Sequence, residues 1–221
     1  LITLSALIVA AVVVAACSSE EDATPEPVVE PTAAATVEPT EVVADTPAEV
    51  EPSAKLVTSD WMLENLDNED VVVIDLRDEE AYAEGHIPGA LRLTPNPVFQ
   101  EEDANGVAGM LPAADHIASA LSDLGIESTD TVVFYDGFSN LWASRALWAL
   151  DVYGHGDTRL IDGSWNYWNA NGLESSTETP EVTASSYAFT GEPNTSIIAG
   201  WEEVLTSVDD PSKIVCDARS P

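Results

Sequence analysis

Asp75-Leu76-Arg77-Asp78-Glu79-Glu80-Ala81-Tyr82-Ala83-Glu84-Gly85-His86-Ile87-Pro88-Gly89-Ala90 is the stretch on which the fold turns. It follows Val71-Val72-Val73-Ile74, a β-branched run of the kind that forms a strand buried on both faces. Asp75 and Arg77 stand at the end of that strand, where opposite charges two residues apart can pair and fix the loop. Asp78–Glu84 reads as helix. Gly85 and Gly89 then allow a tight turn out of the helix and back into a strand, with Pro88 stiffening it.

Outward from this stretch the pattern alternates. Ser59–Leu66 reads as a short capped helix and Ala90–Leu93 as a second strand. Pro112–Leu124 reads as an amphipathic helix with Ile117, Leu121 and Leu124 on its buried side. Thr131–Tyr135 is another buried strand, Leu141–Val152 a helix and Arg159–Ile161 a fourth short strand. Strands that alternate with helices are joined by crossovers, so the expected class is α/β, a mainly parallel sheet flanked by helices. Residues 173–195, with Pro180 and Pro193, read as a connector. Beyond it, Val215-Cys216-Asp217-Ala218-Arg219-Ser220 echoes Val73-Ile74-Asp75-Leu76-Arg77-Asp78, and Trp201 precedes it as Trp61 precedes the first. That echo predicts a second copy of the domain beginning near Ser196.

The long stretch quoted first, with Met110-Leu111-Pro112 and Leu160-Ile161-Asp162-Gly163-Ser164-Trp165, resembles the rhodanese domain of tandem thiosulfate and mercaptopyruvate sulfurtransferases. The resemblance covers roughly residues 56–172. It implies that Asp75, Arg77, Tyr82, Gly85, His86, Pro88 and Gly89 form the structural motif, repeated by Asp217 and Arg219. It also implies a nucleophilic cysteine in a loop after a strand, at the start of a helix. There, backbone N–H groups and the helix dipole lower the thiol pKa. Here that loop is Tyr135-Asp136-Gly137-Phe138-Ser139-Asn140, and Asp136 stands at the cysteine position. A carboxylate cannot carry a persulfide and repels an anionic donor, so this copy is expected to be inactive, its Asp136 accepting the loop N–H bonds. No catalytic residue is therefore assigned within the chain.

His86 has the chemistry of a general base or metal ligand, but the resemblance implies a structural role; His116 and His155 have no catalytic partner in sequence. Cys216 reads as a small buried residue inside the strand that matches Ile74. No metal-spaced cluster, phosphate loop, dinucleotide fingerprint or Gly-x-Ser-x-Gly elbow occurs, and no cofactor is implied.

The flanking composition bears on location. Leu1–Ala16 is uncharged and, at sixteen residues, shorter than the about 20 needed to span a bilayer. It suits an incomplete secretory signal, and Val14-Ala15-Ala16-Cys17 resembles the bacterial lipoprotein box, with Cys17 lipidated. An uncleaved anchor with a chance cysteine is the other reading. Either places the rest of the protein outside the cytoplasm, tethered to a membrane, and the first makes it a membrane-anchored bacterial lipoprotein of the cell envelope. With Cys17 lipidated, Cys216 has no disulfide partner in the sequence. Residues 17–55 hold that lipidation site and an acidic, proline-rich spacer expected to be extended and disordered. The organisation expected is thus 1–16 signal, 17–55 anchor and linker, 56–175 first domain, 176–195 connector, 196–221 start of a second domain. Both ends are expected to be edges of a longer chain.

Forty acidic residues against seven basic ones give a formal charge of −33. Such a surface repels phosphate backbones and excludes nucleic-acid binding. The partners that the rhodanese resemblance implies are a small anionic sulfur donor, thiosulfate or 3-mercaptopyruvate, and a thiophilic acceptor such as cyanide. Two further readings stand beside the enzyme: a membrane-tethered, non-catalytic binding or scaffold module, and a phosphatase relative, against which Asp136 argues.

Overall fold

A computed structural model describes residues 55–137 and 139–217. The residues expected to form the signal and the acidic linker, with Cys17, and Arg219 lie outside the described residues. The elements run β1 (Leu56–Val57), α1 (Ser59–Glu64), β2 (Val71–Asp75), α2 (Glu79–Glu84), β3 (Leu91–Arg92), α3 (Pro95–Val98), β4 (Glu101–Glu102) and β5 (Ala108–Met110). They continue as α4 (Ala114–Asp123), β6 (Thr131–Tyr135), α5 (Leu141–Tyr153), β7 (Asp157–Ile161), α6 (Ser164–Ala170) and α7 (Trp201–Ser207).

Five strands form one sheet in the order β1-β7-β6-β2-β3, parallel at every pairing, and β4-β5 is a small antiparallel hairpin. The α/β class expected from alternation is the class observed. Strand period two divides the central residues between two cores. Ile74, Val132 and Phe134 face α4 and α5, meeting Ile117, Leu121, Ala146 and Leu150. Val73, Val133 and Tyr135 face the opposite side, meeting Met62 of α1 and Trp168 of α6. Covering both faces explains why β2 and β6 are continuous apolar runs rather than alternating ones.

Two local expectations change. Residues 213–217 form no strand, and Cys216 is exposed rather than buried. A parallel strand needs a neighbouring strand to take its backbone hydrogen bonds, and the five-stranded sheet of the described residues does not include this segment. The second change concerns the segment from Leu173 to Gly191, which has no regular structure yet lies across the domain as a strap. Ser176 exchanges backbone hydrogen bonds with His86, Ser185 N–H donates to Ser122 O, and Tyr187 enters the α4–α5 core. Its polar, proline-containing sequence carries no periodicity that would announce these contacts.

Gly125 shows how closely the strap is seated. At φ +74° it ends the turn after α4, and a Cβ there would stand 2.6 Å from Thr183 O of the strap. Gly125→Ala is expected to destabilise the domain by more than about 1 kcal/mol, combining left-handed backbone strain with that clash. Urea denaturation followed by tryptophan fluorescence measures it, and an unchanged midpoint would count against this seating.

Candidate functional site

The carboxyl ends of β2, β6 and β7 open on one edge of the sheet, where parallel α/β proteins place their ligand sites. Register brings Asp75 beside Tyr135. The Asp75 side chain is fully buried and pairs with Arg77, Nη2 to Oδ2 at 2.6 Å and Nε at 3.0 Å from both oxygens. Arg77 N–H donates to Asp75 Oδ1, and Tyr135 OH donates to Asp75 Oδ2 at 2.6 Å. Burial, then the Asp75 charge, holds the Tyr135 phenol far above its ordinary range, so it stays a donor. Arg77 also donates to Gly85 O at 2.7 Å and lies 4.2 Å from the centre of the Trp165 ring.

This pair holds the turn that follows α2. Tyr135 OH accepts from Ile87 N–H, and Tyr82 OH donates to Ala90 O. Tyr82 and His86 stack with ring centres 3.8 Å apart. His86 is fully buried, its ring nitrogens facing Tyr82 O and Glu178 O. These are main-chain partners on α2 and the strap, which is a fastening role. Gly89 takes φ +76°, and Pro88 precedes it in the turn back to β3. His155, elsewhere, faces Tyr187 OH and Asp130 O. Among the described residues no group of three His, Cys, Asp or Glu side chains is placed to hold a metal.

Asp136 begins the loop between β6 and α5. Its carboxylate accepts from Asn140 N–H and Trp142 N–H, each at 3.0 Å, and from Ala143 N–H at 3.5 Å. These are the leading amides of α5, whose orphan donors and dipole favour an anion. Asn140 makes the turn with φ 55°, and its Nδ2 donates to Ile161 O. Ser164, also left-handed at φ 54°, accepts from Asp136 N–H and donates to Asp136 O. The loop is thus clamped between the ends of β6 and β7. A cleft of about 550 Å³ lies over it, lined by Leu76, Arg77, Asp78, Pro95, Asp136 and Trp142 among others. Arg77 is its only Lys or Arg among the described residues, and that guanidinium is already committed to Asp75 and Gly85.

Residues 58–171 match the family model described as the rhodanese-like domain. The chain belongs to that family. It is 35% identical over 167 residues to a "Putative thiosulfate sulfurtransferase" of Saccharopolyspora erythraea, covering 75% of this chain and 57% of the relative. A protein of the same name from Mycolicibacterium smegmatis is 34% identical, with 75% and 58% covered. The solved structure of Escherichia coli SseA, described as a 3-mercaptopyruvate sulfotransferase, matches with a TM-score of 0.59 and 24% identity, covering 72% of this chain and 63% of that one. At that identity it speaks for the fold alone. The chain spans under two thirds of the length of these relatives. The rhodanese match stops at residue 171, so the strap that the structure seats on the domain lies beyond it.

Asp75, Arg77, Tyr82, Gly85, His86 and Gly89 come together around one turn. Tyr135 and Trp165 complete that neighbourhood and Ser164 holds the adjacent Asp136, although the motif that contains Ser164 and Trp165 assigns neither of them such a role. Tyr135 reads in sequence only as the last residue of a strand, and Ser164 as a polar residue after glycine. Asp217 is exposed.

Arg77→Ala leaves the Asp75 carboxylate buried without its cation and is expected to cost about 3–5 kcal/mol. Arg77→Lys recovers only part, because a single ammonium cannot reproduce the guanidinium fork on Asp75 together with the bond to Gly85 O. Chemical denaturation of both variants checks the order.

Proposed function

We propose that the whole protein is a sulfurtransferase acting on thiosulfate or 3-mercaptopyruvate, in which residues 56–175 form a non-catalytic partner domain. The nucleophile belongs to a second copy of the fold that begins near Ser196. The observation that carries this reading is the Asp136 carboxylate seated among the α5 amides. In sulfur transfer a cysteine thiolate attacks the outer sulfur of thiosulfate, the S–S bond breaks, and sulfite leaves with the electron pair. Cyanide then attacks the resulting persulfide, releasing thiocyanate and restoring the thiolate. A carboxylate in that seat keeps the loop's charge and shape and can perform neither step. The loop also lacks a spare cation for the donor. The names of the curated relatives support the reaction class.

The surface of α7 supports the second copy. Trp201 is 71% exposed, Leu205 62% and Val208 67%, an apolar side of the kind that in the first copy is covered by a sheet. In the same proposal, Cys17 carries a lipid that holds the protein at the outer side of a membrane, with residues 18–54 as spacer. The contrasting reading, a tethered scaffold without catalysis, rests on the same Asp136 and differs only in the second copy.

The 221-residue chain is expected to form no thiocyanate from thiosulfate and cyanide, whereas the same chain continued through a cysteine-bearing second copy should turn over. Turnover by the short chain sinks the role given to Asp136. A continued chain that has no such cysteine, or that has it and stays inactive, favours the scaffold. For the anchor, metabolic labelling with a radioactive fatty acid in a bacterial host should mark the wild-type protein and leave Cys17→Ser unmarked. Equal labelling of the two would remove the anchor from the proposal.

A further inference from the structure

The strap is fastened to the rhodanese domain by both of the domain's buried histidines. His86 holds it at Ser176 and Glu178, and His155 holds it at Tyr187. The His155 contact has a defined polarity. His155 Nε2 lies 2.9 Å from Asp130 O, a carbonyl that can only accept, so Nε2 carries the proton. Nδ1 is therefore the acceptor, and Tyr187 OH donates to it at 2.8 Å. Tyr187 packs edge-on against Phe189, whose ring also meets Tyr153 of α5. Tyr187 N–H donates to Ser122 Oγ, and Ser185 Oγ donates to Ile126 O. This end of the strap thus closes over α4 and α5 through one neutral imidazole, two aromatic rings and a few hydrogen bonds to α4 and the turn after it.

We propose that the His155–Tyr187 contact is a pH-sensitive latch, and that protonation of His155 releases residues 183–189 from α4 and α5 while the sheet stays folded. A proton on Nδ1 would face the hydroxyl that now donates to it. Tyr187 would have to turn its own proton away, in a site where His155 and Tyr187 are each 6% exposed. The groups facing His155 come from several elements. Asp130 before β6 and Asp157 at the start of β7 favour the charged ring; Lys55, ahead of β1, opposes it; Tyr187 comes from the strap. Burial outweighs the carboxylates and holds the closed imidazole below the ordinary histidine value of 6.5. Once the strap lifts, water reaches the ring and that ordinary value returns. The sign follows: the latch contributes fully above about pH 6.5 and weakens as pH falls from there towards the closed-state value. Release uncovers the apolar side of α4 that Tyr187 and Phe189 now cover.

The experiment is amide hydrogen exchange on the full 221-residue chain from pH 7.5 down to 5, read as protection factors so that intrinsic exchange cancels. Protection at Ser185 and Tyr187 is expected to fall by up to about tenfold per pH unit below 6.5. Protection at Val133 and Phe134 of β6, and at Ser176 beside His86, should stay level. His155→Gln should remove the pH dependence at Ser185 and Tyr187. Tyr187→Phe, which removes the donor to Nδ1, should lower protection at neutral pH several-fold and shrink the pH dependence, and an undiminished pH dependence would count against the contact as the latch. If His155→Gln fails to fold, the His155 ring titrated by NMR in the wild-type chain serves instead, with a midpoint below 6.5 expected and one at or above 6.5 overturning the latch. Loss of protection that persists in His155→Gln, that appears equally in β6, or that fails to appear at all also overturns it.

Discussion

The buried ion pair between Asp75 and Arg77 is the constraint on which the site end of this domain depends. Taking two charges out of water is costly, and the cost is offset only when every lone pair and N–H finds a partner. Asp75 is met by the Arg77 side chain, the Arg77 amide and Tyr135; Arg77 is met by Asp75, Gly85 O and the Trp165 ring. Each partner comes from a different place: the strand end, the neighbouring strand, the turn after α2 and α6. One unpaired member would leave a buried charge, so the pair ties four segments into a single arrangement.

That arrangement leaves the adjacent loop free to hold an anion without using the cation. Asp136 takes the α5 amides through its carboxylate, while Ser164 grips its backbone from β7's end. In electrostatic terms a carboxylate and a thiolate ask the same of such a loop, a ring of donors at a helix start. Chemically they differ entirely, since only sulfur can accept and return sulfur. In the function proposed, this domain keeps the loop's geometry and leaves the reaction to a second copy.

The acidity of the chain fits this economy of cations. The bases among the described residues bond to groups of this chain: Lys55 to Asp151, Arg77 to Asp75, Arg159 to Asp157, Lys213 to Glu203, Arg92 to Thr94, and Arg145 to the carbonyls of Phe99 and Gly109. The few positive charges hold loops and strand ends in place, and the surface is left to carboxylates.

Composition and pattern by themselves determined the α/β class, the β2 and β6 strands, α5 and the Asp75–Ala90 turn. Apolar runs, helical spacing and the glycine–proline turn are local signals, written within a dozen residues. The pairing of Asp75 with Arg77 was legible for the same reason, two residues apart at a strand end. Tyr135, Ser164 and Trp165 were not, because their roles arise from strand register and from α6 returning to the same edge. The strap was illegible for a related reason: its contacts join residues as far apart as Tyr187 and Ser122, and its own sequence is irregular. Segment 213–217 shows the converse. Its sequence reads as a strand, but a strand is made by its neighbours, and only tertiary structure decides whether they are there.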